Sequence, residues 1–179
     1  MNRALPVNSP QDIPAAYRDT PIGLFLEYNN LDKPFDATTQ AQLLIGMCMD
    51  YRKYIEIPRR FAYVMRAGGA NLLSLEFEIS YAIAVGGVRH IAVIGHNECG
   101  MAHLAPHREG FIQGLMEGAG WERKRAEEHF QQSLPAFETG DEIDLVLQET
   151  RRFREDYPKI VTAPFLYRLE DHLLYLIRE

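Results

Sequence analysis

The chain has 179 residues, the length of one ordinary domain, and is 46% apolar and 25% charged, within the globular norm. Its net charge of −6, from 19 basic and 25 acidic side chains, gives no general electrostatic reason to bind nucleic acid or anionic membrane. No apolar run approaches the ~18–20 residues needed to span a bilayer. The opening Met1-Asn2-Arg3-Ala4-Leu5-Pro6 is not followed by the apolar core of a signal peptide, so a cytoplasmic location is expected. There are two cysteines, Cys48 and Cys99. Two cysteines in a cytosolic chain argue against a disulfide scaffold and leave a metal or catalytic role open.

Residues 1–39 have weak periodicity and carry Pro6, Pro10, Pro14, Pro21 and Pro34. They read as an irregular N-terminal arm with one short helix near Ile22–Tyr28, expected to lie across a second subunit of a dimer or a multiple of one. Residues 40–179 read as the α/β domain proper. The run Gln42-Leu43-Leu44-Ile45-Gly46-Met47 has the length of a buried strand, and Phe61–Met65 and His90–Gly95 are further candidates. Between the last two, Leu75, Ile79, Ala82 and Ile83 share one helical face, which Gly86-Gly87 can end. Strand, helix, strand implies a right-handed crossover and a parallel pair.

Further helices are predicted over Trp121–Leu134 and Glu142–Asp156, with Pro158 marking the end of the second. The basic run Arg151-Arg152-Phe153-Arg154 lies on that helix and reads as a solvated face. The tail predicts two strands, Ile160–Tyr167 and Leu173–Ile177, joined by a polar turn. The fold class is therefore α/β: an open, mostly parallel sheet flanked by helices, with a C-terminal antiparallel edge hairpin.

Open parallel sheets bind ligands at the carboxyl ends of their strands. Cys48 directly follows the first strand, His96 follows the third, and Cys99 comes shortly after. Thiolate and imidazole together suit Zn²⁺, and a set of only three such ligands leaves a fourth position for water, the arrangement of a catalytic site. Asp50 and Arg52 are spaced to form an ion pair beside that metal. The carboxylate can accept a hydrogen bond from zinc-bound hydroxide, can itself occupy the fourth zinc position, or can be part of an ordinary surface pair. Gly100, after the last ligand, lets backbone approach the metal and could turn its N–H toward a bound substrate anion. The stretch Arg66-Ala67-Gly68-Gly69-Ala70-Asn71 ends the second strand at the same sheet edge and is placed to shape the pocket floor. It is not a dinucleotide fingerprint, since no Gly-x-Gly-x-x-Gly occurs.

Taken in order, Cys48-x-Asp50-x-Arg52, the Arg66-Ala67-Gly68 stretch and Gly95-His96-x-x-Cys99-Gly100 resemble the signature of the β-class carbonic anhydrases. The ordered match covers about Leu43 to Leu104. The resemblance implies Cys48, His96 and Cys99 as zinc ligands and Asp50 with Arg52 as the catalytic dyad, Asp50 also capping the zinc in a closed form. It implies dimers whose pockets lie at the subunit interface. The expected activity is reversible hydration of CO₂ to bicarbonate by a zinc-bound hydroxide, a carbonate dehydratase (lyase) reaction. His103 and His107 follow the zinc loop and could relay the proton.

The sequence departs from the family pattern in three places. Tyr51 stands where Ser is common, the link from Arg52 to Arg66 is short, and Ala67 replaces an Asn. These changes fall on the pocket walls, so carbonyl sulfide or carbon disulfide hydrolysis at the same site is the alternative activity. A non-catalytic zinc-binding or assembly protein is the alternative of another class, and retention of both Asp50 and Arg52 argues against it.

Overall fold

The computed structural model describes residues 3–137 and 141–179. The strands are β1 (Ala4–Pro6), β2 (Leu43–Cys48), β3 (Ala62–Ala67), β4 (His90–His96), β5 (Val161–Tyr167) and β6 (Leu174–Ile177). The helices are α1 (Pro21–Leu31), α2 (Glu76–Ala84), α3 (Arg108–Ala119), α4 (Arg123–Ser133) and α5 (Glu142–Asp156). All six strands form one sheet in the order β1-β6-β5-β4-β2-β3. The β3-β2-β4-β5 run is parallel, and β6 is antiparallel to both β5 and β1. No helix among the described residues is long and apolar enough to cross a membrane.

The central strands are mostly apolar because both faces of the sheet are covered. Every residue of β2 is buried. Leu43, Ile45, Met47, Ile94 and Phe165 meet Ile22, Phe25 and Leu26 of α1 on one face. Leu44, Ile91 and Val93 meet Ile79 of α2 and Val146 and Phe153 of α5 on the other. Helix α1 starts at a Thr20 cap with Pro21 in its first turn, and α5 starts at Asp141, whose carboxylate accepts the Asp144 N–H at 2.7 Å. Gly95 sets how closely α5 can approach: a Cβ there would lie 2.5 Å from Cγ2 of Val146.

Three expectations need correcting in detail. The strands β3 and β4 do not pair with each other, because β2 lies between them and bonds to both. The wholly apolar β2 takes the interior, whereas β3, with exposed Tyr63 and Val64, takes the edge. The C-terminal hairpin is present and antiparallel, but β1 covers its outer strand with the register Leu5↔Leu176. The predicted arm is also not irregular throughout. Within its described residues it contributes β1 and α1, and Val7, Ile13 and Phe25 are buried in the chain's own core. Met1 and Asn2 lie outside the described residues.

Candidate metal centre

Parallel strands β2 and β4 are hydrogen-bonded neighbours, in register at Met47↔Ile94, so their carboxyl ends lie side by side. That adjacency brings together Cys48, the last residue of β2, and His96, the last of β4. Cys99 returns to the same point through a tight turn in which Glu98 has the left-handed φ of 56°. The donor atoms of Cys48, His96 and Cys99 all lie within 4.8 Å of one another, and all three residues are buried.

The geometry and donor chemistry fit a tetrahedral metal. The two Sγ atoms are 3.8 Å apart. Two thiolates each ~2.3 Å from zinc at the tetrahedral angle are about 3.8 Å apart. His96 Nδ1 lies 2.8 Å from the Asn97 carbonyl oxygen, which can only accept. The ring proton therefore sits on Nδ1, and Nε2 presents its lone pair. That Nε2 is buried without a hydrogen-bond partner, the signature of an atom awaiting a ligand. Cys48 is drawn well below the ordinary thiol range, first by its hydrogen bond with Cys99, against the opposing effect of burial. Cys99 is pushed up, by the same shared bond and by burial. The opposed directions follow from two sulfurs too close for both to ionise without a cation.

Beside the donors, Arg52 grips Asp50 through Nε at 3.1 and 3.2 Å and Nη2 at 2.8 Å, and its backbone N–H adds a bond of 2.8 Å. Nη2 also donates to the Glu98 carbonyl oxygen at 2.9 Å, tying the first motif to the second. These bonds hold the Asp50 carboxyl far below the usual carboxylate range. Asp50 Oδ2 lies 3.7 Å from His96 Nε2.

A small open cleft lined by Cys48, Met49, Asp50, Cys99, Gly100 and Met101 leads to this point. A Cβ at Gly100 would meet no heavy atom within 4 Å, so protein packing does not require the glycine. The Arg66–Asn71 stretch does border the site. Gly68 allows Met101 to lie against it, where a Cβ would come 2.7 Å from the methionine methyl, and Gly69 has a φ of +59°. His103 and His107 are exposed, and no bond links either to the donor set.

Sequence reasoning did not find three supporting residues. Glu142 accepts the Cys99 N–H at 3.1 Å, Lys53 donates to the Cys48 carbonyl oxygen at 2.6 Å, and Tyr167 bonds the Tyr54 peptide. All act on backbone atoms, which leave no mark in a motif.

A family model described as carbonic anhydrase matches residues 60–171, more than half of the chain. The chain belongs to the carbonic anhydrase family. Within it, the β class is the one whose solved structures share this fold. The match includes His96 and Cys99 and begins after Cys48, Asp50 and Arg52. A comparison with curated proteins found no match. The β-carbonic anhydrase isoform I of Trichomonas vaginalis superposes with a TM-score of 0.66 at 22% identity, over 87% of this chain and 92% of that one. The carbonic anhydrase of Streptococcus mutans gives 0.62 at 16%, over 92% and 99%. A carbon disulfide hydrolase gives 0.57 at 18%, over 77% and 79%. At these identities the likeness establishes the fold.

Proposed function

We propose that this chain is a zinc-dependent carbonic anhydrase that hydrates CO₂ reversibly to bicarbonate. The observation that carries the reading is the buried Cys48–His96–Cys99 donor set with the Arg52-held Asp50 carboxylate 3.7 Å from the His96 nitrogen. Zinc held there would lower the pKa of bound water toward ~7, which supplies hydroxide near neutral pH. The chain's own residues do the rest. Cys48 and Cys99 supply negative charge, and His96 supplies a neutral nitrogen whose tautomer Asn97 fixes. Asp50, anionic and acceptor-only, could accept a hydrogen bond from the O–H of water or hydroxide held beside it and so would aim that oxygen at carbon. Arg52 holds the carboxylate off the donors and keeps it ionised. Met49 and Met101 give the cleft apolar walls, which suit a small uncharged substrate.

Those walls would also accept a sulfur analogue, and a carbon disulfide hydrolase shares the fold. Stopped-flow hydration of CO₂ by zinc-loaded protein, beside hydrolysis of carbon disulfide, tests the reading. We expect CO₂ turnover that disappears on chelation. Turnover of carbon disulfide alone would select the second substrate, and no turnover of either would reject catalysis.

The assembly we infer is a homodimer or a multiple of one. β3 is an open sheet edge, and exposed Phe77, Tyr81 and Val85 of the α2 segment continue its apolar surface. The Tyr63 ring lies against Gly86, just past that helix, so strand and helix form one face. A contiguous apolar face beside an unpaired strand suits a second copy.

A further inference from the structure

The segment joining β2 to β3 carries Asp50 and Arg52, yet residues 49–61 contain neither helix nor strand. Asp50 and Arg52 are joined to each other, and Arg52 also donates to the Glu98 carbonyl oxygen at 2.9 Å, so that bond and whatever fixes the ends of their turn together set their place at the donor set. The N-terminal end is fixed by β2. The C-terminal end is Lys53-Tyr54. Tyr51 and Tyr54 turn outward, 90% and 70% exposed, while Lys53 turns inward and is 6% exposed.

A buried lysine ordinarily has a carboxylate partner. Among the described residues Lys53 is paired with none. Its ammonium instead donates to the Cys48 carbonyl oxygen at 2.6 Å, closing residues 48–53 into a ring. Burial pulls its pKa down, while the nearby Cys48, Asp50 and Cys99 favour its charge and Arg66 opposes it.

One residue further on, the Tyr54 peptide is held at both ends by a single hydroxyl. Tyr167 Oη accepts the Tyr54 N–H at 3.1 Å and donates to the Tyr54 carbonyl oxygen at 3.0 Å. Its second lone pair faces His172 Nδ1 at 2.8 Å. A phenol has one proton and two lone pairs, so this hydroxyl is fully used, with His172 donating from Nδ1. Tyr167 is also the β5 residue in register with His96. The hydroxyl therefore references the loop to the strand end that carries the histidine donor.

We propose that Lys53 and Tyr167 are positioning residues, a two-point clamp that holds the Asp50–Arg52 turn in place beside the metal donors. The proposal rests on the reading of Asp50 and Arg52 given above. It acts entirely on backbone atoms. Lys53 fixes the carbonyl that begins the turn, and Tyr167 fixes the peptide that ends it.

The test uses Tyr167→Phe, which removes one oxygen, and Lys53→Met, which keeps length and removes charge. Hydrogen exchange of the folded variants should rise about tenfold over residues 49–55, the loss expected for one net hydrogen bond, and stay at parent level in β4. In cobalt-substituted protein the d–d bands should move as the loosened Asp50 reaches the metal, while the thiolate charge-transfer band stays. Hydration should slow about tenfold, chiefly in kcat, for a displaced positioning group. Unchanged exchange over 49–55 with unchanged cobalt bands would overturn the clamp. Should Lys53→Met fail to fold, Tyr167→Phe alone decides between these results. A parent protein without hydration activity would remove the functional reading, and exchange and cobalt bands would still decide the clamp.

Discussion

The Sγ atoms of Cys48 and Cys99 stand 3.8 Å apart although 51 positions separate them in the chain. Neither sulfur is in a disulfide. Two buried thiols at that separation cannot both ionise without a cation between them, since like charges in a buried site oppose each other. The opposed shifts of the pair, Cys48 down and Cys99 up, express that conflict.

Metal binding should therefore be stoichiometric and coupled to protons. Protein purified without added metal should contain about one zinc per chain by elemental analysis, and Cys48→Ser or His96→Ala should each abolish it. The proton held by the Cys99 side of the pair must leave when metal binds. Binding consequently releases about one proton near neutral pH, and affinity strengthens as pH rises and weakens as it falls. Calorimetry in buffers of differing ionisation enthalpy measures that number. A zinc content near zero after reconstitution would contradict the assignment.

The close approach of α5 to β4 should be sensitive to a single methyl group. Gly95→Ala places a Cβ 2.5 Å from Val146 Cγ2 and 3.4 Å from the Glu142 carbonyl oxygen. Overpacking of this kind costs about 1–3 kcal/mol, so the denaturant midpoint should fall. Because Glu142 holds the Cys99 N–H, metal affinity should fall in parallel. Thermal or chemical melts with and without zinc separate the two effects.

How far the sequence reveals this molecule depends on where its information lies. The strands Leu43–Cys48 and His90–His96 are legible because a doubly covered parallel strand carries an unbroken apolar run, and the helix Glu142–Asp156 because its apolar positions recur with helical period. The donor set follows once both strands end at one sheet edge. Helix α3 is not legible: Gly110, Gly114 and Gly118 dilute its helical preference, and only Ile112 of its residues is buried. Strand β1 is three residues long and ends in Pro6, so nothing but its partner β6 defines it. Lys53 and Tyr167 escape notice because they recognise peptide groups, which every residue has.

The open edge at β3 should govern assembly. Val64→Lys places a charge on that edge, and Phe77→Glu charges the adjoining helix. Either should shift the protein toward monomer if a second copy covers this face. Light scattering of the parent at micromolar concentration should give a dimer or a multiple of one. A parent that is monomeric there would refute the assembly, and an N-terminal arm reaching a partner would then have none to reach.

The last prediction separates metal binding from chemistry at Asp50. Arg52 keeps this carboxyl ionised far below the usual range, first through its side-chain bonds and then through its backbone N–H. Asp50 is thus an anion throughout any workable assay, and its protonation contributes nothing to the rate profile above about pH 5. Asp50→Asn keeps size and the three strong donors, so zinc should stay bound while hydration falls by ~10²–10³, the usual cost of losing one positioned polar group. Arg52→Ala acts differently. It frees a carboxylate that already lies 3.7 Å from His96 Nε2, and the freed group should compete with water for the metal. Activity should then be low at neutral pH and recover only in part as pH rises, because hydroxide must displace an anion that remains charged. Zinc content and hydration rate against pH, measured on both variants, distinguish the roles. Loss of zinc from Asp50→Asn would make Asp50 a ligand first. Full activity in both variants would reduce the pair to a surface ion pair.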